Sequence, residues 1–174
     1  MSYDDWEAYW EWEASGGYLY DDDYDYDGHD DISESHKKKN TVVLIDAESV
    51  DASHCSRIVG QSKSVGEVAE IRYYARQKDP STRAWIDEAK ENDIKSVLMV
   101  GNPEHNKIDK KLIKDAKKIL RDNKSIDIFC IASRDGDYTE LVKLLRENRK
   151  RVVVLATKDT SQKLKNSASE VKGI

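Results

Sequence analysis

Residues 128–156 read IFCIASRDGDYTELVKLLRENRKRVVVLA. The apolar, β-branched runs Ile126–Ala132 and Val152–Ala156 suit strands buried on both faces. Between them, a helical stretch spans about 137–148. A strand, a helix of this length and a second strand make a βαβ unit, whose strands run parallel.

The same alternation recurs outward from this segment. Thr41-Val-Val-Leu-Ile45 is another short buried-strand run, and Glu67–Tyr74 and Ile94–Val100 are further strand candidates. Helical stretches fall at about 50–62, 81–91 and 109–122, and a last one at about 160–168. The expectation is a three-layer α/β domain with a mainly parallel five-stranded sheet.

The chain divides sharply in composition. Residues 1–36 hold 13 acidic residues, no Lys or Arg, and almost no aliphatic residues. They read as a disordered tail. Nine of the 14 aromatic residues also lie there, interleaved with acids, as in interaction segments. Residues 37–174 hold all 29 basic residues against 21 acidic ones, a net of +8. The whole-chain charge of −5 describes neither half.

Several classes are set aside. No window approaches a membrane span, and the first 30 residues lack the pattern of a secretory signal. Cys55 and Cys130 are too few for a disulfide framework or a zinc knuckle. An intracellular setting follows as the expectation, cytoplasmic or nuclear. Neither a P-loop nor a dinucleotide fingerprint is present. His54 and His105 read as surface or loop residues.

In open α/β sheets, ligands bind beyond the carboxyl ends of the strands. The strand at 41–45 runs into Asp46, and the strand at 126–132 leads into Ser133-Arg-Asp-Gly-Asp137. The strand at 94–100 leads to Asp109. At about 100° per residue, Leu112, Ile113, Ala116, Ile119 and Leu120 share one helix stripe. Asp109 lies on that stripe and Asp115 on its flank, while the lysines occupy the opposite face.

Each acid also has a plainer reading. Asp109 can serve the helix N-terminus, Asp137 can be an N-cap, Asp135-Gly136 can be a turn, and Asp115 can be solvated. Together, Asp46, Asp109, Asp135 and Asp137 form a candidate site for Mg²⁺ or Mn²⁺, which favour hard oxygen ligands. A receiver-like phospho-switch would need an acid ending the third strand, where the chain reads Met99-Val-Gly101.

The runs TVVLIDAES (41–49), NKIDKKLIKDAKKIL (106–120) and residues 128–156 together resemble the NYN domain, a branch of the PIN-like metal-dependent ribonucleases. The similarity covers about 41–170. The third segment is the most specific, with its apolar strand, Ser-x-Asp-x-Asp-aromatic, amphipathic helix and apolar strand. The resemblance implies a Rossmann-like sheet and Mg²⁺- or Mn²⁺-dependent hydrolysis of RNA. It places the acids of the site on Asp46, Asp109, Asp135 and Asp137, with Ser133 and Asp115 in supporting positions. Two positions depart from the family pattern. Ser49 stands where many members have Asn, which puts the support of Asp46 in question, and Glu140 stands where Pro is frequent.

The segment 107–124 holds eight basic and three acidic residues. Lys107, Lys110, Lys111, Lys114 and, beyond them, Arg134 are candidate contacts for single-stranded or structured RNA. Tyr73, Tyr74 and Trp85 could stack bases, although their spacing fits packing better. The acidic tail either competes with RNA for the basic surface or recruits a protein partner. The function expected is a metal-dependent endoribonuclease. The alternative is an RNA-binding module of the same fold, motivated by Ser49.

Overall fold

Alternation of side chains along a strand puts neighbours on opposite faces, so a strand between two helix layers must be apolar at every position. In the computed structural model, which describes residues 38–101 and 107–174, the apolar runs are the central strands. β1 spans Asn40–Asp46, β4 Ile126–Ala132 and β5 Arg151–Ala156. β2 (Glu67–Arg76), β3 (Lys95–Met99) and β6 (Glu170–Gly173) complete one sheet in the order β3-β2-β1-β4-β5-β6. Every pairing among the described residues is parallel.

Among the described residues, five helices cover the two faces. α1 (Cys55–Val65) and α2 (Pro80–Asn92) lie over one, and α3 (Ile108–Asp122), α4 (Thr139–Glu147) and α5 (Gln162–Ser167) over the other. Val43, Ile45, Tyr73, Cys130 and Val153 face the first pair. Val42, Leu44, Tyr74, Phe129, Ile131 and Val154 face the second group. Tyr73 stacks on Trp85 with centroids 5.7 Å apart, and the Trp85 indole donates to the Val50 carbonyl at 3.0 Å. Tyr73, Tyr74 and Trp85 are fully buried, so they pack the core and stack no bases.

The sheet has six strands where the sequence suggested five. β6 has no apolar run, and its residues alternate between half-buried and exposed. It is held by register with β5, from Val153 opposite Glu170 to Ala156 opposite Gly173, and by an ion pair between Arg151 and Glu170. An edge strand kept in place by its neighbour leaves little hydrophobic signal in its own sequence. α5 is correspondingly shorter than expected, because the backbone is already extended at Ala168.

The expected tail, residues 1–36, and His105 lie outside the described residues. Lys37–Ile174 forms a compact unit of its own. No helix among the described residues is long and apolar enough to cross a membrane.

Gly66 joins α1 to β2 where the chain passes against the start of β1. A Cβ there would lie 2.4 Å from the Lys39 carbonyl oxygen and 2.5 Å from Thr41 Oγ1. Backbone cannot give way as a side-chain tip can. Gly66→Ala is expected to destabilise the domain by about 1–3 kcal/mol, read as a lower midpoint in urea unfolding.

Candidate active site

β1 and β4 are adjacent, so their carboxyl ends bring Asp46 beside Ser133. The Ser133 hydroxyl donates to Asp46 Oδ2 at 3.0 Å, and the Glu48 N–H donates to Oδ1 at 3.2 Å. With its proton given to Asp46, Ser133 accepts from the Ser49 hydroxyl at 3.0 Å. Ser49 in turn accepts from the Arg134 N–H at 3.1 Å. Ser133 also accepts from the Asp135 N–H at 3.1 Å. Two serine hydroxyls thus lock the turn after β1 to the turn after β4. The Ser49 hydroxyl also reaches the Asp46 carbonyl at 3.4 Å, so Ser49 supports Asp46 both directly and through Ser133.

Asp46 is only 6 % exposed. Burial pushes its carboxyl above the ordinary aspartate range. Hydrogen bonding from Ser49, Ser133, the Glu48 N–H and Tyr138 opposes that rise without cancelling it.

The turn after β4 settles the plainer roles of the paired acids. Asp135, not Asp137, is the N-cap: its Oδ1 accepts from the Asp137 N–H at 2.9 Å at the start of the 3₁₀ turn Gly136–Tyr138. Asp137 sits in that first turn, and both carboxylates are exposed. The 3₁₀ turn then drives Tyr138 into the core, where it is completely buried.

Tyr138 is the functional candidate that the sequence reading passed over as a generic aromatic. Burial raises its phenol above the ordinary tyrosine range, and the charges of Asp46, Asp109 and Asp135 raise it further. Those three carboxylates thus act electrostatically on one hydroxyl, although they come from β1, α3 and the turn after β4. The hydroxyl faces Asp46 closely enough to ease its ionisation, yet it makes no hydrogen bond of standard length and angle. The only advance signal was chemical: an aromatic chosen for packing alone needs no hydroxyl.

Asp109 lies in the first turn of α3 and is half-buried, as its position on the apolar stripe implied. Asp115, two turns further on, is held elsewhere. It accepts from the Tyr74 hydroxyl at 3.1 Å and from Lys111 Nζ at 2.7 Å, with Arg72 Nη1 at 3.8 Å. It is 8 % exposed, because the flank of α3 packs against the end of β2 and not against water. Lys111 is thereby engaged with Asp115. Lys107 and Lys110 are exposed, Lys114 is half-buried, and Arg134 is exposed with Asp159 at 3.9 Å.

The donor set is all carboxylate and hydroxyl oxygen, which suits a hard divalent cation and not zinc. A fully buried hydroxyl without a good partner is the place where a water carried by such an ion would complete the bonding. Among the described residues, no three metal-ligating side chains stand close enough to hold an ion in common.

The raised Asp46 carboxyl has a consequence for stability. A group whose folded pKa lies above its unfolded value binds its proton more tightly when folded, so its contribution falls as pH rises through that interval. At neutral pH without divalent ions, the buried charge is a cost. Asp46→Asn is expected to raise Tm at pH 7 in EDTA. The gain should vanish as pH falls to the range where the wild-type carboxyl is itself protonated, as differential scanning calorimetry across pH would show.

Comparison with known proteins agrees with the fold. A solved structure of a protein of unknown function from Vibrio parahaemolyticus is similar over 81 % of this chain and 96 % of that one, with 22 % identity and a TM-score of 0.65. A structure of a putative oxidoreductase from Parabacteroides merdae matches 78 % of this chain and 31 % of that one, with 11 % identity and a TM-score of 0.41. No curated protein matches. The family model of the NYN domain matches residues 40–172. With that match covering β1 through most of β6, the chain belongs to the NYN domain family, whose fold is that of the PIN-like nucleases.

Proposed function

We propose that the domain is a ribonuclease dependent on Mg²⁺ or Mn²⁺ that cleaves RNA endonucleolytically. The observation that carries this reading is that Asp46, Asp109 and Asp135, from three separate elements, all act electrostatically on the buried Tyr138 hydroxyl, with Asp46 held by Ser133 at the end of β4. Carboxylates at such a point repel a phosphodiester unless a cation stands between them. The family's nuclease fold and the net positive charge of residues 37–174 agree with a phosphate-bearing substrate.

Asp46, Asp109, Asp135 and Asp137 would hold the cation, directly or through water. When bound, the ion supplies charge neutralisation, an activated water and stabilisation of the leaving oxygen. The chain's own part is orientation. Ser133 fixes Oδ2 of Asp46, the Glu48 N–H fixes Oδ1, and the capping bond of Asp135 sets the direction of its carboxylate. Lys107, Lys110 and Lys114 would meet the RNA backbone, Arg134 would also contact the RNA, and Lys111 would meet the backbone at the expense of its bond to Asp115.

Labelled single-stranded RNA incubated with Mn²⁺ should be cut internally. EDTA should stop the cleavage, and Asp135→Asn should reduce it at least about 100-fold, the scale of losing a group that acts on the transition state. RNA binding without cleavage under varied metals and substrates would instead make the domain a binding module.

We further propose that residues 1–36 compete with RNA for the basic domain. Their 13 acids and nine aromatics imitate the charge and stacking of a single strand. Protein beginning at Lys37 should bind RNA more tightly than the full chain at low salt. Equal affinities would remove the tail from the mechanism.

A further inference from the structure

A cavity of about 320 Å³ opens beside the acids, at the carboxyl ends of β1, β4 and β5. Ser49, Asp51, His54, Arg134, Lys158 and Asp159 line it. Its place follows from the strand order. β1 connects onward to β2 on one side, while β4 connects to β5 on the other, so the loops after β1 and β4 diverge. A crevice at that reversal is where open α/β sheets take ligands. Its volume is at the lower end of small-molecule pockets, enough for one nucleotide.

The cavity and the acid site share a wall. Ser49 lines the cavity and bonds to Ser133, which holds Asp46. The cavity is thereby linked to Asp46 through two hydrogen bonds. The lining is also mixed in polarity, unlike a plain phosphate site. Arg134 and Lys158 offer donors, while Asp51 and Asp159 offer acceptors.

These groups are held by the backbone around them. The Arg134 backbone is fixed on both sides, its N–H donating to Ser49 Oγ at 3.1 Å and its carbonyl accepting from the Ser161 N–H at 2.9 Å. Its guanidinium meets Asp159 only at 3.9 Å. Asp51 is oriented by the Ser53 N–H at 2.9 Å and by the Ser53 side chain.

We propose that this cavity receives one base of the RNA strand next to the scissile phosphate, and that guanine fits it best. Guanine displays the acceptors O6 and N7, which pair with Arg or Lys, beside N1–H and N2–H donors suited to a carboxylate. The proposal deepens the ribonuclease reading and rests on it for the polymer to which the base belongs.

The test separates the two. The full chain in EDTA, where no metal-dependent cleavage can run, is titrated by NMR with GMP, AMP, CMP, UMP and ribose 5-phosphate. GMP should bind saturably, at least tenfold more tightly than ribose 5-phosphate and more tightly than the other nucleotides. Lys158→Ala and Asp159→Asn are exposed loop substitutions that spare the core, and each should weaken GMP about tenfold. Lys143→Ala, on the solvent side of α4, should leave GMP binding unchanged. No binding, binding no tighter than ribose 5-phosphate, tighter binding of another base, or indifference to Lys158 and Asp159 would each overturn the proposal. GMP binding by a protein that cuts no RNA would keep the base site and discard the nuclease. Cleavage without GMP binding would do the reverse.

Discussion

Asp46 ends a strand in which Thr41 through Ile45 are all buried, and its own carboxylate is nearly as deep. An ionised group in that position must be compensated by hydrogen bonds, by a cation, or by taking up a proton. The chain supplies the first through Ser133 and the Glu48 N–H, and these fall short, since burial still raises the carboxyl. The deficit is built in by topology. Strands flanked by two helix layers have no solvated face, so an acid that closes the central strand begins its life desolvated. Exposed Asp135 in the turn after β4 and half-buried Asp109 in the first turn of α3 act electrostatically, with Asp46, on the Tyr138 hydroxyl, which makes no hydrogen bond of standard geometry.

The same constraint separates two acidic positions that look alike along α3. Asp109 and Asp115 are six residues apart, each among lysines of the same helix. Asp115 finds Tyr74 and Lys111, with Arg72 near, and so is satisfied within the protein. Asp109 is drawn into the field around Tyr138. One acid therefore ties α3 to β2, and the other is left to the site. The difference comes from where the helix crosses the sheet.

Ser49 and Ser133 both support Asp46 and bond to each other, and the pair also orders the Arg134 N–H and the Asp135 N–H. The two turns become one rigid edge, with carboxylates on one side and the polar cavity on the other.

Much of this was legible in the linear pattern. The apolar runs at 41–45, 126–132 and 152–156 identify buried parallel strands, because only a strand covered on both faces is apolar at consecutive positions. The stripe on α3 placed Asp109 inward for the same reason. β6 was not legible, since an edge strand takes its order from its neighbour's backbone. The satisfied state of Asp115 was not legible either, because Tyr74 and Arg72 are about 40 residues away and meet it only across the sheet. Sequence by itself determined which segments must be buried and which acids end them, since burial periodicity is local. Tertiary structure alone decided that Asp115 is satisfied within the protein, which cap belongs to Asp135, and that the Tyr138 hydroxyl is buried. Those are distances between elements, and no local pattern encodes them.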